Sequence, residues 1–311
     1  MPQIKLVTVD LGTQKIRIPL AHIQGAKNHP KILVTAGLDG DEYAGIDAAY
    51  RLIEKYQEAK FDGILTVIPI VNIPGFVNRT PFNPHDSKYP KSIFPGNKNG
   101  SSTERLIQWL SEIIYKHEAW IDLHGGGLDE YLVPFVYLTP PSNKQLKKRV
   151  FSLIRHMPHR NIIYDKKNSW GFKGLDEKGI LRLVIEAGSR GGRKTDHIEY
   201  HLYLIRKLIY LLNKNPDELT SNLRKKKIFT GWSVLRADKA GIWSPMNNLK
   251  KIFEKGDLVG EIKTYGGKII STVKVNEGGI LLFRKTGALC TKGDLLIGLA
   301  VKPEPLNRLL K

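Results

Sequence analysis

Cysteine is almost absent from this chain: Cys290 stands alone among 311 residues. One thiol excludes an intrachain disulfide and a cysteine-based zinc cluster, so any metal centre must be built from His, Asp and Glu. Cys290 lies in GALCTKGD, where it reads as a small strand residue rather than a nucleophile. Long hydrophobic runs are missing too. No stretch approaches the ~20 apolar residues of a membrane span, and the opening MPQIKLVTVDLG lacks the basic-then-apolar order of a signal peptide. The chain is therefore expected to be cytoplasmic, with no membrane partner. Acidic residues are few beside basic ones, 30 against 49, which leaves a formal charge of +19. Such an excess suits nucleic acid or small anions equally. The densest basic runs, LKKRV at 146–150 and LRKKKIF at 223–229, are short, not interleaved with aromatics, and match no nucleic-acid module. A positive field that steers anionic substrates inward is the preferred reading, and no nucleic-acid partner is expected.

Against these absences stands an ordered alternation of elements. KILVTAG from residue 31 is a short β-branched run stopped by glycine, and GIDAAYRLIEKYQEAK after it repeats its apolar residues at helical spacing. GILTVIPIVNIPG again reads as a strand and leads into a Pro/Gly-punctuated stretch, 74–100, with no periodicity. A loop of that length in a compact domain is more often functional than idle. TERLIQWLSEIIYKH predicts an amphipathic helix with Ser102 and Thr103 as caps, and AWIDLHGGG a buried strand ending at polar residues and glycines. Helices are predicted over 145–158 and 196–213, with ILRLVIEAG a strand between them. This alternation implies an α/β fold, a sheet with helices on both faces. Beyond residue 227 the texture changes to short strands broken by glycine. KGDLVGEI and KGDLLIGL form a near-repeat, which predicts two related hairpins in a small C-terminal all-β barrel or sandwich domain. The expected domains are 1–227, catalytic, and 228–311. Asp238-Lys239-Ala240 looks superficially like a lipoyl attachment site, but Lys239 precedes both halves of the repeat, which argues against it.

Three segments, AGLDGDE, IDLHGGG and VIEAG, stand where strands of an open sheet run out into loops, the usual place for a ligand. Asp39, Glu42 and His124 would form a three-ligand set that leaves a fourth position on a catalytic zinc for water. Asp122 lies two residues before His124, on the same strand face, and can fix its tautomer from behind. Each piece has a plainer reading. An acidic LDGDE loop also serves as a solvated turn or helix cap, a strand-terminal histidine is often structural, and Glu186 could belong to a salt bridge. A buried carboxylate such as Glu186 nevertheless needs a partner or a task.

Taken in order, AGLDGDEYAG, IPGFVNRTPFNP, IFPGNKNGSSTERL, WIDLHGGG and VIEAGSRGG resemble the signature segments of the succinylglutamate desuccinylase/aspartoacylase family. The resemblance spans about residues 30–192, and the Gly-rich C-terminal part is similar to the β domain that many members carry. It implies a zinc carboxypeptidase-like mixed sheet and a metal-dependent hydrolase that cleaves the amide bond of an N-acylated amino acid or related small molecule. Glu42 and His124 are then metal ligands, Glu186 is the general base, and Arg79 is a positive group near the substrate carbonyl. One divalent ion per chain is implied, with zinc the first choice.

Two departures from the family pattern stand out. Asp39 occupies the position of the family's first histidine ligand. Two carboxylates and one imidazole make a bound metal a poorer Lewis acid and favour a harder ion such as Mn²⁺. Before IFPG, where the family has an Asn-Arg pair that grips the substrate carboxylate, this chain has Lys91 and Ser92. Lysine holds a carboxylate only as a point charge, and Lys88, Arg105, Arg190 and Arg193 remain candidates to replace the lost arginine. The expected partner is a small anionic acylated substrate, and homo-oligomerisation is left open. The alternative is a non-catalytic or altered-ligand descendant that keeps the fold and binds a small anion or a partner.

Overall fold

The computed structural model describes residues 4–56, 61–139, 141, 144–157, 161–165, 174–175, 177–214, 227–246 and 251–310. Residues 215–226, with the first half of the basic run at 223–229, lie outside these residues. Four parallel strands form the centre: β4 (Ile64–Ile68), β3 (Lys31–Ala36), β5 (Ala119–His124) and β9 (Leu181–Glu186), side by side in that order. β1 (Lys5–Asp10) and β2 (Lys15–Gln24) extend the sheet antiparallel beyond β4. On the other side β7 (Phe135–Leu138) runs antiparallel to β9, and β8 (Ile162–Tyr164) follows it.

Period-two alternation sorts the central strands between two cores. Ile32, Val34, Ile121, Leu123, Leu183 and Ile185 face a cluster shared with α1 (Tyr43–Tyr56), α4 (Lys144–His156) and α5 (Thr195–Leu212). Leu33 and Trp120 face the opposite cluster, beneath α3 (Ser102–Ile114). Helices on both faces of a mixed sheet are the architecture the alternation predicts.

The local differences have physical reasons. The apolar run through Ile70 and Val71 is only partly strand. A short helix, α2 (Ile73–Asn78), follows it, because Asn72 caps the first turn, its Oδ1 accepting from Gly75 N at 3.0 Å, and Pro74 suits that turn. α3 is capped one residue earlier than expected, at Ser101, whose N–H is taken by Glu104 at 2.8 Å. The stretch 74–100 is anchored by Asp86, which accepts from Ser101 Oγ, Thr103 N and Thr103 Oγ1 at 2.6–2.7 Å.

The C-terminal repeat is visible as one turn used twice. Asp257 accepts from Glu254 N at 3.0 Å and Asp294 from Thr291 N at 3.1 Å. Gly256 and Gly293 take left-handed φ of 93° and 95° in these turns. The strands that follow part company. β13 (Leu258–Lys263) enters a four-stranded sheet with β11 (Gly241–Pro245), β14 (Ile269–Lys274) and β16 (Leu289–Cys290). β17 (Leu295–Pro305) instead pairs with β10 (Lys227–Arg236) and β15 (Gly279–Lys285) and so continues the large sheet. Residues of both sheets, among them Trp243, Ile262, Leu281 and Leu299, share one core, as in a sandwich. Cys290 is buried in that core, as its context predicts. Lys239 lies in the turn between β10 and β11 and donates to Ile270 O at 2.8 Å. The C-terminal strands join the rest of the large sheet where β10 runs beside β8, and again through β6 (Glu130–Leu132), which pairs with β15. No helix among the described residues is long and apolar enough to cross a membrane.

Candidate metal centre

The carboxyl ends of β3, β5 and β9 open side by side, and each delivers one of the three polar segments. In β5, Trp120, Asp122 and His124 alternate with core residues, so all three point to the α3 side of the sheet. β9 is in register with Trp120 opposite Arg182 and His124 opposite Glu186. Glu186 therefore stands beside His124 on the same face. From β3 the chain passes through GLDGDE into α1, bringing Asp39 and Glu42 over the end of β5. This loop approaches α2 so closely that a Cβ on Gly40 would overlap the backbone of Gly75 and Phe76.

Asp39, Glu42 and His124 are all buried, and one ligand atom from each can be chosen so that all lie within 4.8 Å of one another. His124 Nδ1 is 3.0 Å from Glu42 Oε2 and 3.8 Å from Asp39 Oδ2. Its other nitrogen, Nε2, is 3.0 Å from Asp122 Oδ2. Asp122 is fully buried and accepts from Thr35 Oγ1 at 2.6 Å, while Thr35 accepts from Trp120 Nε1 at 2.8 Å. Arg182 Nη2 approaches Asp122 at 3.6 Å and its guanidinium lies over the Trp120 ring. An ionised Asp122 requires the proton on Nε2 and turns the Nδ1 lone pair toward Glu42 and Asp39. Two carboxylates around a lone pair demand a cation or a proton. Asp39 Oδ1 is also buried without a hydrogen-bond partner. This donor set fits a divalent ion.

Protonation in the site follows from crowding of acids. Burial pushes Glu42 well above the carboxylate range, with Asp39 adding to the effect and His124 opposing it. Burial pushes Glu186 up to about 8 against the pull of His124, and Glu130 up to about 7 against that of Lys91. Burial alone would lower the His124 imidazole, but Asp122 and Glu42 reverse this and raise it well above its ordinary value. Asp122 goes the other way: burial works against its charge, yet His124 and Arg182 hold it below its ordinary value.

The remaining residues singled out in the sequence are placed differently. Lys91 reaches the acidic loop itself, its Nζ lying 2.5 Å from Asp39 Oδ2. Burial opposes its charge, but Asp39 and Glu42 more than compensate and raise its pKa. Ser92 is exposed on the 3-10 turn Pro90–Ser92 and makes no hydrogen bond to the cluster. Arg79 is exposed at the C-cap of α2, at a left-handed φ of 54°, beside Thr80, whose carbonyl accepts from Gly40 N. Among the candidate replacements, Lys88 pairs with Glu104, Arg193 chelates Asp47, and Arg105 donates to Gly100 O. Arg190 is exposed in the loop after β9, at φ 56°, with its N–H on Glu130 O and no ion pair among the described residues.

Sequence reading missed three contributors. Asp41 accepts from Leu128 N at 3.1 Å and ties the acidic loop to the glycines after His124, as does Glu42 through Gly125 N at 3.0 Å. Glu130 adds a further acid near Lys91 and Glu186. Arg182 is concealed in an apolar strand pattern, where its charge was the only signal.

Comparison with known proteins agrees with this geometry. Residues 28–212, more than half of the chain, match the succinylglutamate desuccinylase/aspartoacylase catalytic domain. A curated relative, N-alpha-acetyl-L-2,4-diaminobutyric acid deacetylase from Halomonas elongata, is 28% identical over 121 residues; the match covers 39% of this chain and spans about a third, 35%, of that relative. Two solved structures share the fold. A succinylglutamate desuccinylase/aspartoacylase from Rhodobacter sphaeroides has a TM-score of 0.78 at 18% identity over 97% of this chain and 95% of its own. The product-bound ectoine utilization protein EutE (DoeB) from Ruegeria pomeroyi has 0.78 at 20% over 93% and 90%. With its sheet ends, acidic loop and catalytic-domain match in agreement, the chain belongs to the succinylglutamate desuccinylase/aspartoacylase family.

Proposed function

We propose that this chain is a metal-dependent deacylase that hydrolyses the amide bond of an N-acylated amino acid or a closely related small molecule. The observation that carries this reading is the convergence of Asp39, Glu42 and His124, with Glu186 next to His124 in strand register. Asp39, Glu42 and His124 would hold the ion, and Asp122 would keep the His124 lone pair directed at it. A bound divalent ion, zinc or the harder Mn²⁺, would polarise the scissile carbonyl and acidify a water. Glu186 takes a proton from the attacking water and passes it to the amide nitrogen as the C–N bond breaks, so the products are a carboxylic acid and a free amine. Arg79, next to the Thr80 carbonyl that meets the acidic loop at Gly40, would supply positive charge to the developing oxyanion. Arg190 is the guanidinium left to receive the substrate carboxylate, since the other candidates are engaged elsewhere in the protein. The Halomonas elongata relative, named as a deacetylase of an N-acetylated diamino acid, supports the same bond type.

A second reading has one specific observation behind it. The Lys91–Asp39 ion pair could mark a descendant that binds anions without turnover. Metal analysis of the purified protein separates the two. About one divalent ion per chain, absent in His124→Ala, is expected for the deacylase, whereas a chain that stays metal-free in excess zinc, manganese and cobalt refutes it.

A further inference from the structure

The two places where this chain departs from its family pattern meet in space. Asp39 and Lys91 are 52 positions apart, yet Lys91 Nζ lies 2.5 Å from Asp39 Oδ2, the same oxygen that faces His124 Nδ1 at 3.8 Å. Lys91 is carried by the turn Pro90–Ser92, whose Pro90 is buried, so the ammonium is aimed from an anchored base. Glu42 and Glu130 also act on it electrostatically. A carboxylate in place of a neutral imidazole adds one negative charge to the ligand set, and the lysine supplies the matching positive one.

We propose that Lys91 is an internal cation that competes with the divalent ion for Asp39, so that metal occupancy depends on the lysine releasing that carboxylate. This rests on the metal-dependent reading above. An ammonium and a divalent cation on one buried carboxylate repel each other, and the low-dielectric surroundings strengthen that repulsion. The mobile partner is the lysine: its side chain is 42% exposed, whereas that of Asp39 is 1% exposed. Lys91 can swing into solvent, and Asp39 cannot. Asp39 Oδ1, buried without a partner, leaves acceptor capacity that the ammonium does not satisfy.

Calorimetric titration of chelator-treated protein with Zn²⁺ and with Mn²⁺ tests the proposal without reference to activity. Lys91→Met is expected to bind about tenfold or more tighter than the wild type, and Lys91→Arg, which keeps the charge, within about threefold of it. In an Asp39→His background, where the lysine has lost the carboxylate it shares with the ion, the effect of adding Lys91→Met should fall to less than about threefold. Equal or weaker binding by Lys91→Met overturns the proposal while leaving the metal centre intact. Failure of every variant and of the wild type to bind either ion overturns both. If Lys91→Met does not fold, the unaltered protein still decides the matter: saturating Zn²⁺ should increase reductive methylation of Lys91, read by peptide mass spectrometry. Unchanged or reduced labelling contradicts the competition.

Discussion

Replacing Glu186 by glutamine removes one buried charge and keeps the side-chain shape, so its effect on stability can be worked from the site. In the native protein burial holds the Glu186 carboxyl near 8, against about 4.5 when it is solvated. Between those values the folded chain keeps a proton that the unfolded chain has released, so stability falls as pH rises through this window. Above pH 8 the full cost is present. The displacement corresponds to about 5 kcal/mol at 1.36 kcal/mol per pH unit. Glu42 and Glu130 share the same crowding, so a single substitution is expected to recover about 2–3 kcal/mol. For a chain of this size that raises Tm by about 5 °C at pH 9, with a change of about 1 °C or less at pH 5. Scanning calorimetry of chelator-treated wild type and Glu186→Gln at both pH values is the assay. A Tm difference that is the same at pH 5 and pH 9, or a Gln variant less stable at pH 9, refutes the reasoning. The same variant should lose about 10²–10⁴-fold in kcat if the carboxylate handles the proton.

Three further outcomes follow from the geometry. Arg190→Ala should raise KM for an anionic N-acyl amino acid about tenfold, with kcat within about threefold, because an exposed carboxylate contact is lost rather than a reacting group. A kcat loss at constant KM would place Arg190 elsewhere in the mechanism. Asp122→Asn should weaken divalent-ion affinity about 10–100-fold by titration, since the amide no longer fixes the His124 tautomer. Unchanged affinity removes Asp122 from that role. Gly40→Ala should cost about 1–3 kcal/mol in denaturant unfolding and weaken metal binding, because the added methyl must displace the α2 backbone or the acidic loop.

Much of the catalytic half is readable from sequence because its signals are local. α1, α3, α4 and α5 carry helical periodicity, and β3, β5 and β9 are apolar runs ended by polar residues or glycine. The convergence of three strand ends follows from the way parallel sheets place ligands at their carboxyl edges. What escaped the sequence is non-local. β1 is an edge strand and β2 lies between it and β4, neither with an unbroken apolar run, and α2 is defined by an Asn cap and a proline inside a run that also suits a strand. Period and composition carry no information that Lys91 meets Asp39 from 52 residues away. Lys91 reads as a substrate contact until its partner is seen. The KGD repeat predicts two related hairpins; two like turns form, but only the strand after the first, β13, opens a hairpin, with β14. That the other turn feeds the large sheet depends on β10 pairing with β17 along most of its length, which a short repeat cannot encode.

The central claim is that Asp39, Glu42 and His124 hold an ion that makes Glu186 a working base. The most direct test is release of free amine from N-acetylated and N-succinylated amino acids, diaminobutyrate among them, by chelator-treated protein before and after Zn²⁺ or Mn²⁺ is restored. Turnover of at least one substrate only after an ion is added, and none in Glu186→Gln, is the predicted result. Turnover indifferent to the chelator, or none with any ion on any substrate, would contradict the account.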